Sequence, residues 1–205
     1  NNYKIDKSIN TLLKKLQTSK RPLIHLGHGV RLANASSIVK KIFNKHKIPF
    51  VVTWNADDLI PSNHKMYFGR PGAFGERGSN FIVQNCDFYL SIGSRLPFMV
   101  TGYNSKNYAS RAKFKCMVDI DINELKKKDI NFNLKVQCDA KYFLENLFKK
   151  LKKFNSNNIW LDYCKNIRKK YPVLINKMRD EKKYVNSYYF IRVLSELTRP
   201  HDSII

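Results

Sequence analysis

The chain has 205 residues with 38 lysines and arginines against 16 aspartates and glutamates, which gives a formal net charge of +22. Hydrophobic residues make up 43% of the sequence, so a disordered chain is excluded, and no apolar run approaches the ~18 residues of a membrane span. The length predicts one compact domain and part of a second.

Helices and short apolar strands alternate along the first 153 residues. Ile9, Leu12, Leu13 and Leu16 recur at helical spacing and predict an amphipathic helix over 6–18. The predicted strands are 23–26, 50–53, 88–92, 115–120 and 134–138. Four further helices are predicted after the first strand. One is capped by Asn34, one covers 77–85, one is a single turn capped by Asp121 with Glu124 as its capping-box partner, and one is capped by Asp139.

Five apolar strands that do not alternate with polar residues predict a parallel sheet covered by helices on both faces. We therefore expect an α/β, Rossmann-like domain over 1–153. A linker with a helix follows over 154–184, with helices expected before and after Pro172 and another over 185–197. The apolar run 203–205 reads as an unfinished strand, so we expect the chain to be a fragment.

Three strand ends carry residues suited to a nucleotide. Gly27-His28-Gly29 follows the first strand, Gly93-Ser94-Arg95 follows the third, and Asp119 and Asp121 lie at the end of the fourth. In an open parallel sheet these ends form the ligand edge, where glycines admit a phosphate and a carboxylate can bind a ribose. The structural alternatives are a simple glycine turn, a surface ion pair for Arg95 and a helix cap for Asp121.

No catalytic constellation is evident, and we predict neither a catalytic residue nor a metal ligand in this chain. His25 is expected in the core and His46 in solvent at a lysine-rich helix end, which leaves His28 as the one histidine placed like a site residue. Ser94 lacks the glycine two residues before it that a nucleophile elbow requires.

Four isolated cysteines never form a C-x-x-C pair, which argues against a zinc site and predicts reduced, mostly buried thiols. The cysteines are Cys86, Cys116, Cys138 and Cys164. The first ten residues have no apolar signal core. We expect a cytoplasmic protein with no membrane association.

The excess of lysine is not accompanied by a nucleic-acid-binding motif in the sequence. We therefore expect weak nonspecific RNA binding and no specific nucleic-acid partner.

Several of these segments resemble, in order, the central domain of the acetolactate synthase (acetohydroxyacid synthase) family of thiamine-diphosphate-dependent enzymes. Ile48–Trp54 is similar to the family strand "IPVVTTW", and His64–Gly75 to the loop "HPLYLGMPGMHG". Residues 20–31, 80–95 and 118–121 match further segments at corresponding gaps. The resemblance implies a Rossmann-like domain of the DHS-like NAD/FAD-binding type. Residues 185–205 resemble the start of the family's following, C-terminal diphosphate-binding domain, here truncated.

The resemblance also implies what this chain does not contain. The family holds thiamine diphosphate between an N-terminal domain, whose glutamate activates it, and a C-terminal domain, whose GDG-to-Asn motif holds Mg²⁺. Neither is present in this sequence. We therefore expect the chain alone to be inactive, its partners to be these missing domains, and the parent to be a homodimer or homotetramer. That parent would decarboxylate a 2-oxo acid and transfer the acyl unit.

In some relatives the central domain binds FAD or ADP. Met99 stands where flavin-binding members have a second arginine, and 73–76 lacks the family histidine, so the resemblance leaves a vestigial site as an alternative. A stand-alone FAD- or ADP-binding module and a basic RNA-binding protein are the rival functions. The cofactor-binding positions carried over are Gly27, His28, Gly29, Thr53, Gly93, Ser94, Arg95, Asp119 and Asp121.

Overall fold

A computed structural model of the chain describes residues 2–199 and 201–203. Its contacts divide the chain into two compact units, one ending at Lys170 and the other beginning at Tyr171. The first unit is an α/β domain with one five-stranded sheet, and the second holds two helices. No helix in the described part of the chain is long and apolar enough to cross a membrane.

The sheet is parallel throughout, in the strand order β2-β1-β3-β4-β5. This confirms the predicted Rossmann-like α/β fold. The strands are β1 (Pro22–Leu26), β2 (Phe50–Val52), β3 (Phe88–Ile92), β4 (Phe114–Asp119) and β5 (Leu134–Gln137). The helices of the first unit are α1 (Asn2–Thr18), α2 (His28–Leu32), α3 (Ser36–Lys45), α4 (Arg77–Asn85), α5 (Phe98–Thr101), α6 (Ile122–Lys126), α7 (Ala140–Lys150) and α8 (Asn158–Lys170), with 3₁₀ turns at Trp54–Leu59 and Ser105–Asn107.

Both faces of the sheet are covered. Every residue of β1, β2, β3 and β4 is buried, which explains why these strands are mostly apolar and do not alternate with polar residues. On one face the apolar stripes of α1, α3 and α7 form the larger core cluster, and on the other α4, α5 and α8 form a second. The four cysteines are free and buried, as predicted.

The prediction that Asn34 is the N-cap of a helix is wrong, because Asn34 lies at the C-terminal end of the short helix α2. The Asn34 amide donates to Arg31 O at 2.9 Å, and the Ala35 amide donates to Val30 O at 3.1 Å. Asn34 has a φ of 52°. These two bonds and the left-handed residue form a Schellman motif, so Asn34 ends α2, and Ala35 is the N-cap of α3.

His46 is also placed differently from its prediction, since the structure buries it completely. The Phe154 amide donates to His46 Nδ1 at 3.1 Å, and Ser156 donates its amide to Lys47 O at 2.9 Å. The beginning of the predicted linker is thus held against α3, and the compact unit extends beyond residue 153. The assignment of 154–184 as a linker between domains stays a prediction.

The second unit contains α9 (Asn176–Arg179) and α10 (Ser187–Leu197). The side chain of Asn186 caps α10 by accepting a hydrogen bond from the Tyr188 amide at 3.0 Å. Several large apolar side chains of this helix are exposed, including Phe190 and Ile191. Of the predicted strand start at 203–205, residues 204 and 205 lie outside the described residues.

Candidate functional site

A cleft of about 540 Å³ lies along the carboxyl edge of the sheet, where β1, β3 and β4 end. This is the edge at which parallel α/β sheets bind ligands. Eight of the nine predicted positions line the cleft, namely His28, Gly29, Thr53, Gly93, Ser94, Arg95, Asp119 and Asp121. Gly27 does not line it. The structure thus brings the predicted residues together, and their role in binding a cofactor stays a prediction.

The glycines at this edge are packed backbone against backbone. A Cβ on Gly27 would lie 2.2 Å from the carbonyl oxygen of Gly93, and one on Gly29 would lie 2.9 Å from Gly93 Cα. The Gly27 amide donates to Ile92 O and the Gly29 amide to Gly93 O, both at 2.9 Å. The contact between the β1 and β3 turns therefore requires small residues, and the Gly29 amide is already engaged.

One wall of the cleft is a short polar chain. His28 Nδ1 lies 2.6 Å from the carbonyl oxygen of Asn55, and Thr53 Oγ1 donates to Asn55 Oδ1 at 2.6 Å. A carbonyl oxygen only accepts, so His28 Nδ1 donates this hydrogen bond. Asn55 thereby fixes both side chains, although the sequence motifs give no sign of its role.

The opposite wall carries three carboxylates at the ends of β4 and β5. Asp119 is only 7% exposed and accepts the Asp121 amide on Oδ1 at 2.9 Å. Burial raises the pKa of Asp119, and the negative charges of Glu124 and Asp121 raise it further. The hydrogen bond from the Asp121 amide and the positive charge of Arg95 act in the opposite direction, but the pKa stays above its ordinary value. Asp121 and Asp139 cap α6 and α7, as predicted. Each of the three accepts on Oδ1, and the other carboxylate oxygen accepts nothing from the described residues.

Arg95 is the main cation of the cleft. Its side chain is 76% exposed, and its Nε lies 3.9 Å from Glu124, a distance that makes the ion pair weak. Glu124 also pairs with Lys127. In the predicted capping box the Glu124 side chain would accept a hydrogen bond from the Asp121 amide. That amide donates to Asp119, so this part of the prediction is wrong. The cleft therefore offers three aspartates against one weakly paired, exposed guanidinium, in a chain whose net charge is +22.

Further lining residues were not predicted as site residues. Trp54 and Ile120 form an apolar rim, with exposed fractions of 58% and 68%. Cys138 and Asp139 follow β5, so the carboxyl end of the fifth predicted strand was the signal for them. Among residues 2–199 and 201–203, no group of three histidine, cysteine, aspartate or glutamate side chains could hold a metal ion.

Comparison with known proteins places this geometry in context. A family profile described as "Thiamine pyrophosphate enzyme, central domain" matches residues 9–147. A probable acetolactate synthase large subunit of Methanococcus aeolicus is 31% identical over 145 residues, which cover 71% of this chain and 24% of that protein. A protein of the same description from Methanocaldococcus jannaschii is 28% identical over 197 residues, covering 95% and 32%.

A relative with a different name is also similar. The 3D-(3,5/4)-trihydroxycyclohexane-1,2-dione hydrolase of Geobacillus thermodenitrificans is 30% identical over 138 residues, which cover 67% of this chain and 21% of that protein. The chain therefore spans between about a fifth and a third of the length of these relatives.

Proposed function

This chain belongs to the thiamine pyrophosphate enzyme central-domain family, and from that premise we propose that it is the central part of a longer acetolactate synthase-like enzyme. The observation that carries the proposal is the family match over 9–147, together with relatives named acetolactate synthase that extend well beyond the aligned region. The whole enzyme would decarboxylate a 2-oxo acid and transfer the acyl unit to an acceptor. It would act in the cytoplasm as a homodimer or homotetramer.

The role of this chain in that enzyme is scaffolding. Thiamine diphosphate supplies the electron sink for decarboxylation when it is bound, and Mg²⁺ holds its diphosphate. The described residues include no donor set that fits the metal, so we assign no step through either group to this chain. The exposed apolar residues Phe190 and Ile191 on α10 and the rim residues Trp54 and Ile120 are suited to contact with other domains or subunits.

A nucleotide is the second ligand that the family implies, and the cleft fits only part of it. Asp119, Asp121 and Asp139 offer acceptors for ribose hydroxyls. A diphosphate would find Arg95 but not the amides of Gly29 and Val30, which donate to Gly93 O and Gly27 O. We propose that the cleft binds an adenine nucleotide through its nucleoside, and that the diphosphate of ADP or FAD adds little.

Titration calorimetry with adenosine, ADP and FAD tests the nucleotide proposal. We expect micromolar binding, with adenosine within about tenfold of ADP, because a single exposed guanidinium adds roughly 1 kcal/mol or less. ADP binding more than a hundredfold tighter than adenosine would show that the diphosphate is the anchor. Absence of heat at millimolar ligand would show a vestigial site. Either result overturns the proposal.

The enzyme proposal has its own test. An antibody against this chain identifies the native polypeptide in its own cells, whose intact mass and flanking reading frame are then determined. We expect a product about three times this length with a GDG motif downstream. The purified product should release CO₂ from a 2-oxo acid only with thiamine diphosphate and Mg²⁺. A native product without flanking domains would exclude this function.

A further inference from the structure

A second pocket lies at the opposite edge of the sheet, where β1 and β4 begin. It has a volume of about 420 Å³ and is lined by Lys20, Arg21, Asn85, Arg111, Tyr163 and neighbouring residues at the start of α8. We infer that this basic pocket binds a small molecule that carries a phosphate group on a planar, apolar body. The inference does not depend on the proposed enzyme or on the cleft.

Two arginines of the basic pocket are held together by one asparagine. Arg21 Nε donates to the carbonyl oxygen of Asn85 at 2.7 Å, and Arg111 Nη1 donates to the side-chain oxygen of the same residue. Both guanidinium groups therefore approach one point at the end of α4. Two positive charges at that separation repel each other, and a bound anion relieves the repulsion.

Neither arginine of the basic pocket forms an ion pair with an acidic side chain in the described part of the chain. Asp87, two residues after Asn85, accepts the backbone amides of Lys20 and Arg21 at 3.0 and 2.8 Å. The carboxylate thus fixes the backbone of this corner, while the cationic side chains keep their capacity for a ligand.

The donor count favours a phosphate. A guanidinium carries five N–H donors, and each arginine gives one of them to Asn85, so about eight remain for a ligand. Phosphate oxygens accept bidentate hydrogen bonds from such forks, and Lys20 adds a flexible third cation. The capping residue Asn157 places the positive end of the α8 dipole at the same pocket.

The other wall of the basic pocket is apolar. The rings of Trp160 and Tyr163 are parallel, with centroids 5.3 Å apart and an interplanar angle of 11°. Trp160 is buried and donates its Nε1–H to Pro22 O at 3.0 Å, which fixes the ring pair. Ile159 is 80% exposed beside them. A ligand held by its phosphate at the arginines could rest a planar body against this wall, as a nucleoside monophosphate does.

The two tryptophans allow the two sites to be observed separately. Trp54 lines the cleft and Trp160 lines the basic pocket, so Trp54→Phe leaves a single reporter at the basic pocket. We would titrate this variant with AMP, adenosine and benzoate and follow the Trp160 emission. We expect a saturable change with AMP and binding at least tenfold weaker with adenosine and with benzoate.

Matched variants connect the signal to the arginines. In the same background, the double variant Arg21→Gln, Arg111→Gln should weaken AMP binding at least tenfold. The double variant Lys40→Gln, Lys41→Gln removes two exposed charges elsewhere and should keep the affinity within twofold. If the arginine double variant does not fold, the single Arg111→Gln change at an exposed side chain should weaken AMP at least threefold.

Each contrary result has a defined meaning. Equal binding of AMP and adenosine, or no saturable change, would overturn the basic pocket as a phosphate site. Binding of benzoate as tight as AMP would replace the phosphate ligand with a carboxylate. Equal losses in the arginine and lysine variants would mean nonspecific attraction to a basic surface. Because ADP and FAD also carry phosphates, the cleft calorimetry is repeated with the Arg21→Gln, Arg111→Gln variant, in which the cleft alone should bind nucleotide. The mass of the native polypeptide is independent of both sites, so the failures remain distinguishable.

Discussion

Gly27 and Gly93 share one contact at the point where β1 and β3 leave the sheet. The Gly27 amide donates to Ile92 O at 2.9 Å, and a side-chain carbon on Gly27 would lie 2.2 Å from Gly93 O. Gly93 itself has a φ of 59° and lies against the amide of Val30. The floor of the cleft is therefore made of backbone from two turns, with no room for a side chain between them.

This contact can be separated from backbone strain with two matched substitutions. Gly93 and Gly102 have φ values of 59° and 66°, but a Cβ on Gly93 would lie 2.8 Å from Val30 N and one on Gly102 would meet nothing within 4 Å. We expect Gly102→Ala to lower the free energy of unfolding by roughly 1–2 kcal/mol and Gly93→Ala by about 3 kcal/mol or more. Urea unfolding measures both, and equal losses would show that the contact is not tight.

The buried His25 should make the stability depend on pH. His25 Nδ1 lies 2.6 Å from Tyr89 Oη. Burial lowers the pKa of His25 to about 3 from an ordinary value of 6.5. Between pH 6.5 and 3 the unfolded chain binds a proton that the folded chain does not. The contribution of His25 is thus intact above pH 6.5 and declines on acidification by about 1.4 kcal/mol per pH unit.

The histidine prediction is tested with His25→Gln, which has no proton to bind. We expect its unfolding free energy to fall less steeply between pH 6.5 and 4 than that of the parent chain. His201→Gln alters an exposed histidine and should keep the parent slope. The same slope in all three proteins would refute the assignment.

Asp87 connects the beginnings of three strands. Its carboxylate accepts the amides of Lys20 and Arg21, and its carbonyl accepts the Lys113 amide at 2.8 Å. Asp87→Ala removes the two charge-assisted hydrogen bonds, and we expect a loss of about 2–3 kcal/mol in unfolding free energy. Asp162→Ala breaks only an exposed ion pair with Lys165 and should cost under about 0.5 kcal/mol. Equal losses of unfolding free energy in the two variants would show that Asp87 contributes no more to stability than an exposed ion pair.

Cys138 should be the first thiol to react with a disulfide reagent. It lines the cleft, and burial raises its pKa to about 11, whereas burial raises the pKa of the fully buried Cys86, Cys116 and Cys164 further. In a thiol titration with the disulfide reagent at pH 8, the Cys138→Ser variant should lose the fastest phase of the reaction. Cys164→Ser should retain it. A fast phase that survives Cys138→Ser would contradict the burial order.

Local sequence signals predicted well where the interaction itself is local. Asp139 caps α7 by accepting the Tyr142 amide at 2.9 Å, three residues away, and the apolar runs of β1 and β3 are buried from end to end. These features need no knowledge of distant residues. The Schellman end of α2 at Asn34 is local too, but an asparagine before a helix suits either a cap or a left-handed turn.

Long-range contacts explain what the sequence could not show. His46 lies among lysines in the sequence, and its burial depends on Phe154, which is 108 residues later and donates its amide to the ring. In the cleft, the role of Asn55 depends on the distance between the turns after β1 and β2. The pairing of Arg21 with Arg111 likewise exists only once Asn85 has brought the two chain segments together.

The hydrogen bond from Trp160 to Pro22 has a consequence for biosynthesis. It joins residues 138 apart, and Trp160 belongs to the apolar cluster that covers one face of the sheet. While the ribosome is still making β5, that face of β1 has no α8 to cover it, and the nascent chain presents uncovered strand and helix residues to chaperones. The first strand of the sheet is therefore translated early, yet its native environment is complete only after the last helix of the unit emerges.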